Sequence, residues 1–153
     1  YGPRQSSRAV IPTIITQILN NEKVQLGSLN PTRDFTYIDD TISGMISAIN
    51  NKKSVGEIIN IGSGYEISIA KLYQIISQLK QKKLKLVKNK SRIRPKKSEV
   101  LRLKASIKKA GKTLKWKPKY KNLDGLKKGL IKTIEWFENE ENLKKYKSDI
   151  YNY

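Results

Sequence analysis

Residues 27–41, GSLNPTRDFTYIDDT, hold a turn, a strand and a helix start in quick succession, and the rest of the chain has to fold around that order. Asn30-Pro31 marks the turn, since proline presets one backbone angle and asparagine bonds its own backbone. Arg33 follows in a lightly charged region, then the apolar positions Phe35, Tyr37 and Ile38. Asp39 and Asp40 stand directly before a helical pattern, where either carboxylate can accept hydrogen bonds from the free N–H groups of the first turn.

On the N-terminal side, Val10, Ile11, Ile14, Ile15, Ile18 and Leu19 recur with helical spacing, so the pattern predicts a helix ended by Asn20 and Asn21. Pro12 fits its first turn, where a missing N–H is no loss. Val24 to Leu26 reads as a short strand that can pair with Arg33 to Ile38 as a hairpin with a loop of more than two residues.

On the C-terminal side, Ile42, Met45, Ile46 and Ile49 continue the helix, and Gly44 inside it points to a close approach, because glycine costs about 1 kcal/mol against alanine there. Residues 57–61, EIINI, form a nearly continuous apolar run of strand length, the pattern of a strand buried on both faces. Gly62-Ser63-Gly64 ends it, and Ser68 is placed to cap a helix carrying Ile69, Leu72, Tyr73, Ile75, Ile76 and Leu79. Strand, glycine turn and helix together are the unit of an α/β fold.

Beyond it, residues 84–88 (LKLVK) and the neighbourhood of Val100, Leu101 and Leu103 read as short strands joined by a linker. Ser106 is placed to cap a short helix that ends at Trp116-Lys117-Pro118. A last helix, about 122–147, shows Leu123, Leu126, Leu130, Ile134 and Phe137 as one stripe beside Trp136 and Tyr146.

A length of 153 residues fits one domain or a piece of a larger protein. No stretch approaches the roughly 20 apolar residues of a membrane span, and the start has no signal-peptide layout, so a soluble, cytoplasmic chain that begins in mid-sequence is expected. The absence of cysteine and histidine excludes disulfides, thiolate metal sites, a cysteine nucleophile and the commonest general base, and no metal site is expected. The net charge of +19 is concentrated in residues 80–121, which hold 19 of the 32 basic residues and one acidic residue. Such a stripe attracts polyanions with steep salt dependence, which makes a nucleic-acid-binding module the opposing reading. Against it, only 6 of the 32 are arginine, the residue that specific phosphate and base recognition favours, and most lysines alternate with apolar residues as solvated faces do.

No Walker loop is present, and GSGYEIS lacks the third glycine and the later acidic residue of a dinucleotide fingerprint, so a tight turn is its simpler reading. Asp39-Asp40 reads as helix capping and Glu140-Glu141 as an exposed helix end. The scarce arginines Arg33, Arg92 and Arg94 are candidates for gripping a pyrophosphate bidentately, with a surface ion pair as the alternative for each.

Seven stretches, YGPRQ at 1–5, RAVIPTII at 8–15, RDFTYIDDT at 33–41, INIGSG at 59–64, RIRPKKSEV at 92–100, LKWKP at 114–118 and LDGLKKGLIKTIEWF at 123–137, together resemble the C-terminal half of the extended short-chain dehydrogenase/reductases. The likeness is to NAD-dependent nucleotide-sugar 4,6-dehydratases and 4-epimerases, with a lean towards bacterial dehydratases of nonulosonic-type sugar synthesis. It implies an α/β architecture, the C-terminal part of a Rossmann-type fold with small mixed sheet segments and packed helices. Residues 1–153 would then be the substrate-binding part of an enzyme whose N-terminal half binds NAD and carries a catalytic Tyr-x-x-x-Lys. The sequence holds neither that pair nor a GxxGxxG turn, so no catalytic residue is assigned and the chain is expected to be inactive alone.

By the same resemblance Arg33 grips the pyrophosphate of a nucleotide-diphosphate sugar, with Phe35 beside it. Val24 and Leu26 lie on the strand whose backbone reads the base, Val10 lines the same pocket, and Asn60 and Arg94 make further nucleotide contacts. A 4-epimerase or decarboxylase of the family is the alternative to a dehydratase, and the full-length enzyme is expected to be a homodimer.

Overall fold

The computed structural model describes residues 1–20, 23–93, 95 and 98–146. The chain is mixed α/β, with six helices among the described residues packed around two small sheets. Helix α1 (Val10–Asn20) buries Ile11, Ile14, Ile15 and Ile18 along one face, and Thr13 donates its hydroxyl to the carbonyls of Ser7 and Ala9 at the N-terminal end. The expected end at Asn21 lies outside the described residues.

Strand β1 (Lys23–Leu26) does not form the expected hairpin with β2 (Thr32–Asp34). It pairs in parallel with β4 (Lys85–Lys88), Val24 opposite Leu86 and Leu26 opposite Lys88. Strand β2 instead sits in the middle of a three-stranded sheet, antiparallel to β3 (Glu66–Ser68) and parallel to β5 (Arg102–Leu103). The reason lies in burial. Val24 and Leu26 are both buried in the main core, whereas β2 exposes part of every side chain, so a hairpin would place a core strand beside a rim strand.

The main core joins α1, β1, helix α3 (Ile69–Leu79) and helix α5 (Asn122–Glu138), with Leu72, Ile75, Ile76, Leu130, Ile134 and Phe137 at its centre. Each such side chain contributes about 1.5–3 kcal/mol by burial. Ser68 caps α3 as its position predicts, accepting from the Lys71 N–H at 3.2 Å. The long C-terminal helix is broken: α5 ends at Glu138, Asn139 turns to extended backbone, and its side chain caps the short α6 (Glu140–Leu143). The expected continuous helix is therefore interrupted at Asn139, and only its expected last residue, Lys147, lies outside the described residues.

A second, smaller cluster holds helix α4 (Lys108–Leu114) and Trp116 against helix α2 (Ile38–Ile49). Three expectations are corrected here. Residues 57–61 form no strand, and Ile58 is 87% exposed, because no neighbouring strand among the described residues meets their backbone. Ser106 does not cap α4, which starts after Ile107 without a side-chain cap. Asp39 and Asp40 do not cap α2. Asp40 is buried and spans a longer distance, accepting from the backbone N–H groups of Lys119 and Tyr120 at 2.8 and 2.9 Å. That contact ties the loop after Trp116 to α2, and Trp116 adds a bond from its indole N–H to Ser43 Oγ at 2.9 Å. Gly44 is tight as expected, since a Cβ there would lie 2.8 Å from Ile61.

Candidate functional site

A cavity of about 260 Å³ opens where the start of α1, the end of β1, the middle of β2 and the segment after β4 meet. Val10, Leu26 and Arg33 line it, three of the residues singled out from the sequence, together with Arg8, Arg92 and Glu99. Arg33 holds its place through two bonds: Nη1 donates to the Thr32 carbonyl at 2.8 Å and Nη2 to Glu99 Oε1 at 3.0 Å. Arg92 comes from the stretch that crosses β1, and its Nη1 donates to the Gln25 carbonyl at 3.2 Å. The crossing is close. A Cβ on Gly27 would lie 2.1 Å from the Arg92 carbonyl oxygen, so this position admits only glycine without moving the chain.

The backbone of Gln25 is held by side chains. Gln17 donates to its carbonyl at 3.2 Å and accepts from its N–H at 2.8 Å, and Asn89 donates to its side-chain oxygen at 3.0 Å. These bonds anchor β1 at its edge and fix the wall of the cavity. Three arginines and one carboxylate leave the cavity with a net positive charge, which suits a doubly charged anion.

The remaining sequence-predicted residues lie elsewhere. Val24 is fully buried in the core and Phe35 packs against that core from the end of β2. Asn60 is exposed in the unpaired 57–61 segment, away from the cavity lining. Arg94 lies outside the described residues.

Sequence reading missed two residues that organise the site. Glu99 is the single carboxylate of the basic segment 80–121, and that solitude is its only signal in the sequence. Asp34 was hidden beside Arg33. Its Oδ1 accepts from the Ser63 N–H at 3.0 Å and the Ser63 hydroxyl at 2.5 Å, and its Oδ2 from Gly64 N–H at 2.9 Å and Ala105 N–H at 3.2 Å. One carboxylate thus gathers β2, the Gly62-Ser63-Gly64 turn and the chain after β5. The same bonds bear on NAD. Two N–H groups of that turn are already committed to Asp34, so the turn offers no cradle for a dinucleotide pyrophosphate.

A larger cavity, about 880 Å³, lies over that turn, walled by Ile107, Trp116 and Pro118 and rimmed by Lys104, Lys108, Lys117 and Lys121. Among the described residues, none of the sequence-predicted site residues lines it. At the sheet rim, Glu66 accepts from Arg102 Nε at 2.8 Å and from Thr32 Oγ1 at 2.8 Å. Arg102 first, and Thr32 second, hold its carboxyl below the usual carboxylate range. No helix among the described residues is long and apolar enough to cross a membrane.

Comparison with known proteins agrees with this architecture. Residues 1–129 match the family model described as GDP-mannose 4,6 dehydratase. A putative UDP-glucose 4-epimerase of Methanocaldococcus jannaschii is 34% identical over 143 residues, covering 91% of this chain and 43% of that protein. The UDP-glucuronate 4-epimerase of Thermodesulfobacterium geofontis is 34% identical over 151 residues, covering 97% and 43%. dTDP-D-glucose 4,6-dehydratases and a UDP-N-acetyl-alpha-D-glucosaminuronate decarboxylase are among the further relatives. Among solved structures, the Bacillus cereus UDP-glucuronic acid 4-epimerase in complex with UDP-glucuronic acid and NAD superposes with a TM-score of 0.80 at 31% identity, covering 92% of this chain and 43% of that one. The chain therefore spans less than half the length of the relatives it matches. It belongs to the extended short-chain dehydrogenase/reductase family of nucleotide-sugar 4,6-dehydratases and epimerases, and corresponds to the C-terminal part of its members.

Proposed function

We propose that this chain is the nucleotide-sugar-binding part of an NAD-dependent sugar-nucleotide 4,6-dehydratase and is inactive by itself. The observation that carries the reading is the Arg33 cavity, in which Arg8, Arg33 and Arg92 converge with one carboxylate beside an apolar wall of Val10 and Leu26. A nucleoside diphosphate has matching parts: a pyrophosphate for the guanidiniums and a flat base for the apolar wall. Arg33 orients the pyrophosphate, while Glu99 keeps the guanidinium ordered until an anion takes its place. A 4-epimerase or decarboxylase of the same family shares this binding step and is the alternative.

NAD would supply hydride transfer from the sugar, bound mainly by the other part of the enzyme; the committed turn at Ser63 and Gly64 supports that division. Phe35, Val24, Asn60 and Arg94 belong to the proposal through the family resemblance alone. The same holds for a homodimeric assembly and a cytoplasmic location.

Calorimetric titration of the chain with UDP, dTDP and GDP, and separately with duplex DNA at physiological salt, tests the reading. Saturable binding of at least one nucleoside diphosphate is expected. Submicromolar, sequence-dependent DNA binding without nucleotide binding would favour the basic module, with the lysine-rimmed cavity as its natural seat.

A further inference from the structure

The larger cavity, about 880 Å³, has no part in the nucleotide-binding account and shares no lining residue with the Arg33 cavity. Its wall is apolar, with Ala105 and Ile107 coming just before α4 and Trp116 and Pro118 just after it. Around that wall stand Lys104, Lys108, Lys117 and Lys121, supplied by the chain after β5, the start of α4, the loop after Trp116 and the residue before α5. All four are exposed, and among the described residues none of them makes an ion pair. The fifth cation of the lining, Arg102, is held by Glu66. Among the described residues no carboxylate lines the cavity. Asp34, at the adjoining turn, spends both oxygens on four hydrogen bonds. Lysines of a solvated face stand apart on a convex exterior, whereas these four ring a concave apolar surface that has no counter-charge of its own. Apolar surface with a polar rim is the anatomy of an interaction site.

We propose that this cavity docks an acidic polypeptide segment, which seats an apolar side chain against Ile107 and Pro118 and sets its carboxylates against the lysine rim. Charge complementarity fixes the sign of the partner. The wall and the type of cation fix its kind. Single-stranded nucleic acids stack bases on aromatic faces, and phosphates favour the arginine fork. Here Trp116 is only 6% exposed with its indole N–H committed to Ser43, and the one arginine of the lining is already occupied. A membrane surface takes apolar side chains that protrude from a cationic face, and in this cavity they are recessed behind it. An acidic peptide meets both features. Its carboxylates, on separate side chains, reach separate ammonium groups, while one aliphatic or aromatic side chain fills the hollow as an anchor. The inference goes beyond the nucleotide-binding reading and does not depend on it, because the two cavities have separate linings.

Calorimetric titration of the full chain with the capped peptide EELEEFEE tests the proposal, beside EEAEEAEE, which lacks the anchors, and QQLQQFQQ, which lacks the charge. Saturable one-to-one binding of the first peptide is expected, with each control weaker by about 10-fold or more, and with affinity falling as salt is raised from about 50 to about 300 mM. Two variants locate the site. K108E/K117E reverses two rim charges, and G111L fills the hollow from α4 without changing any charge, where the nearest atom to an added Cβ is 3.8 Å away. Each should weaken the peptide by about 10-fold or more. K83E/K85E makes the same change of net charge on exposed lysines outside the cavity and should leave affinity within about 3-fold, the scale of a screened, distant pair. Equal losses in K83E/K85E and K108E/K117E would mean that overall charge alone attracts the peptide, and would overturn the proposal. Full affinity in G111L overturns it as well, as does equal binding of the neutral peptide. Duplex DNA that binds with K108E/K117E sensitivity where the acidic peptide does not bind would assign the cavity to a nucleic acid instead.

Discussion

Arg33 and Glu99 form a 3.0 Å ion pair, with the two side chains only 20% and 14% exposed, although 66 residues separate them. A half-buried pair of this kind keeps a cation in place without neutralising the cavity, because Arg8 and Arg92 line the same walls. Replacing Glu99 by Gln keeps the shape and removes the counter-charge. Nucleoside diphosphate affinity is expected to rise or hold while pyrophosphate competes more strongly, since the anion no longer displaces a carboxylate. A loss of affinity measured by calorimetry would assign Glu99 a direct contact with the ligand.

Asp34 accepts four hydrogen bonds, three of them from backbone N–H groups. Asp34→Ala strands those donors, and hydrogen bonds to charged groups are worth about 1.5–3 kcal/mol each with incomplete additivity. A loss of roughly 2–4 kcal/mol in urea unfolding is expected. A loss under about 0.5 kcal/mol would mean that water replaces the carboxylate readily.

Two glycines in helices should respond oppositely to alanine. A Cβ on Gly125 would lie 2.2 Å from the Tyr120 carbonyl carbon, which is backbone and cannot turn aside. The nearest atom to a Cβ on Gly111 is 3.8 Å away. Gly111→Ala should therefore stabilise by about 0.4–1 kcal/mol through helix propensity and a less flexible unfolded chain, and Gly125→Ala should destabilise despite the same gain. Thermal midpoints measured side by side decide it.

Much of the fold was legible in residue spacing, and the failures share a cause. The helices carrying Ile14, Leu72 and Leu130 announce themselves because each lays one apolar stripe on the main core. Strand pairing does not. Val24 and Arg33 are nine positions apart, yet their strands join different sheets through residues 85–88 and 102–103, and nothing local encodes that choice. Residues 57–61 have the composition of a strand, but a ladder needs a second strand. Arg33 stood out by scarcity. Asp34 and Asp40 did not, because their partners lie 29 to 80 residues away and are mostly backbone N–H groups, which have no signature in sequence.

Glu66 gives the chain a defined acid response. Its carboxyl is lowered by Arg102 and Thr32 from an ordinary value of 4.5, so the unfolded state binds the extra proton between the folded value and 4.5. The contribution is complete above 4.5 and is lost as pH falls through the folded value. Glu66→Gln should therefore be less stable than the natural chain at neutral pH, with the gap closing as pH falls. Urea midpoints taken from about pH 3 to about pH 7 measure the gap; a gap that stays constant would place the effect in packing instead of charge.

Affinity for a nucleoside diphosphate in Arg33→Ala, beside Arg33→Lys, tests the binding account most directly. The account predicts a loss of about 10- to 100-fold for alanine, from the roughly 1.5–3 kcal/mol of a hydrogen bond to a charged group. Lysine should recover only part of it, because an ammonium cannot make the bidentate contact. Affinity unchanged in Arg33→Ala, with the variant folded, would contradict the account.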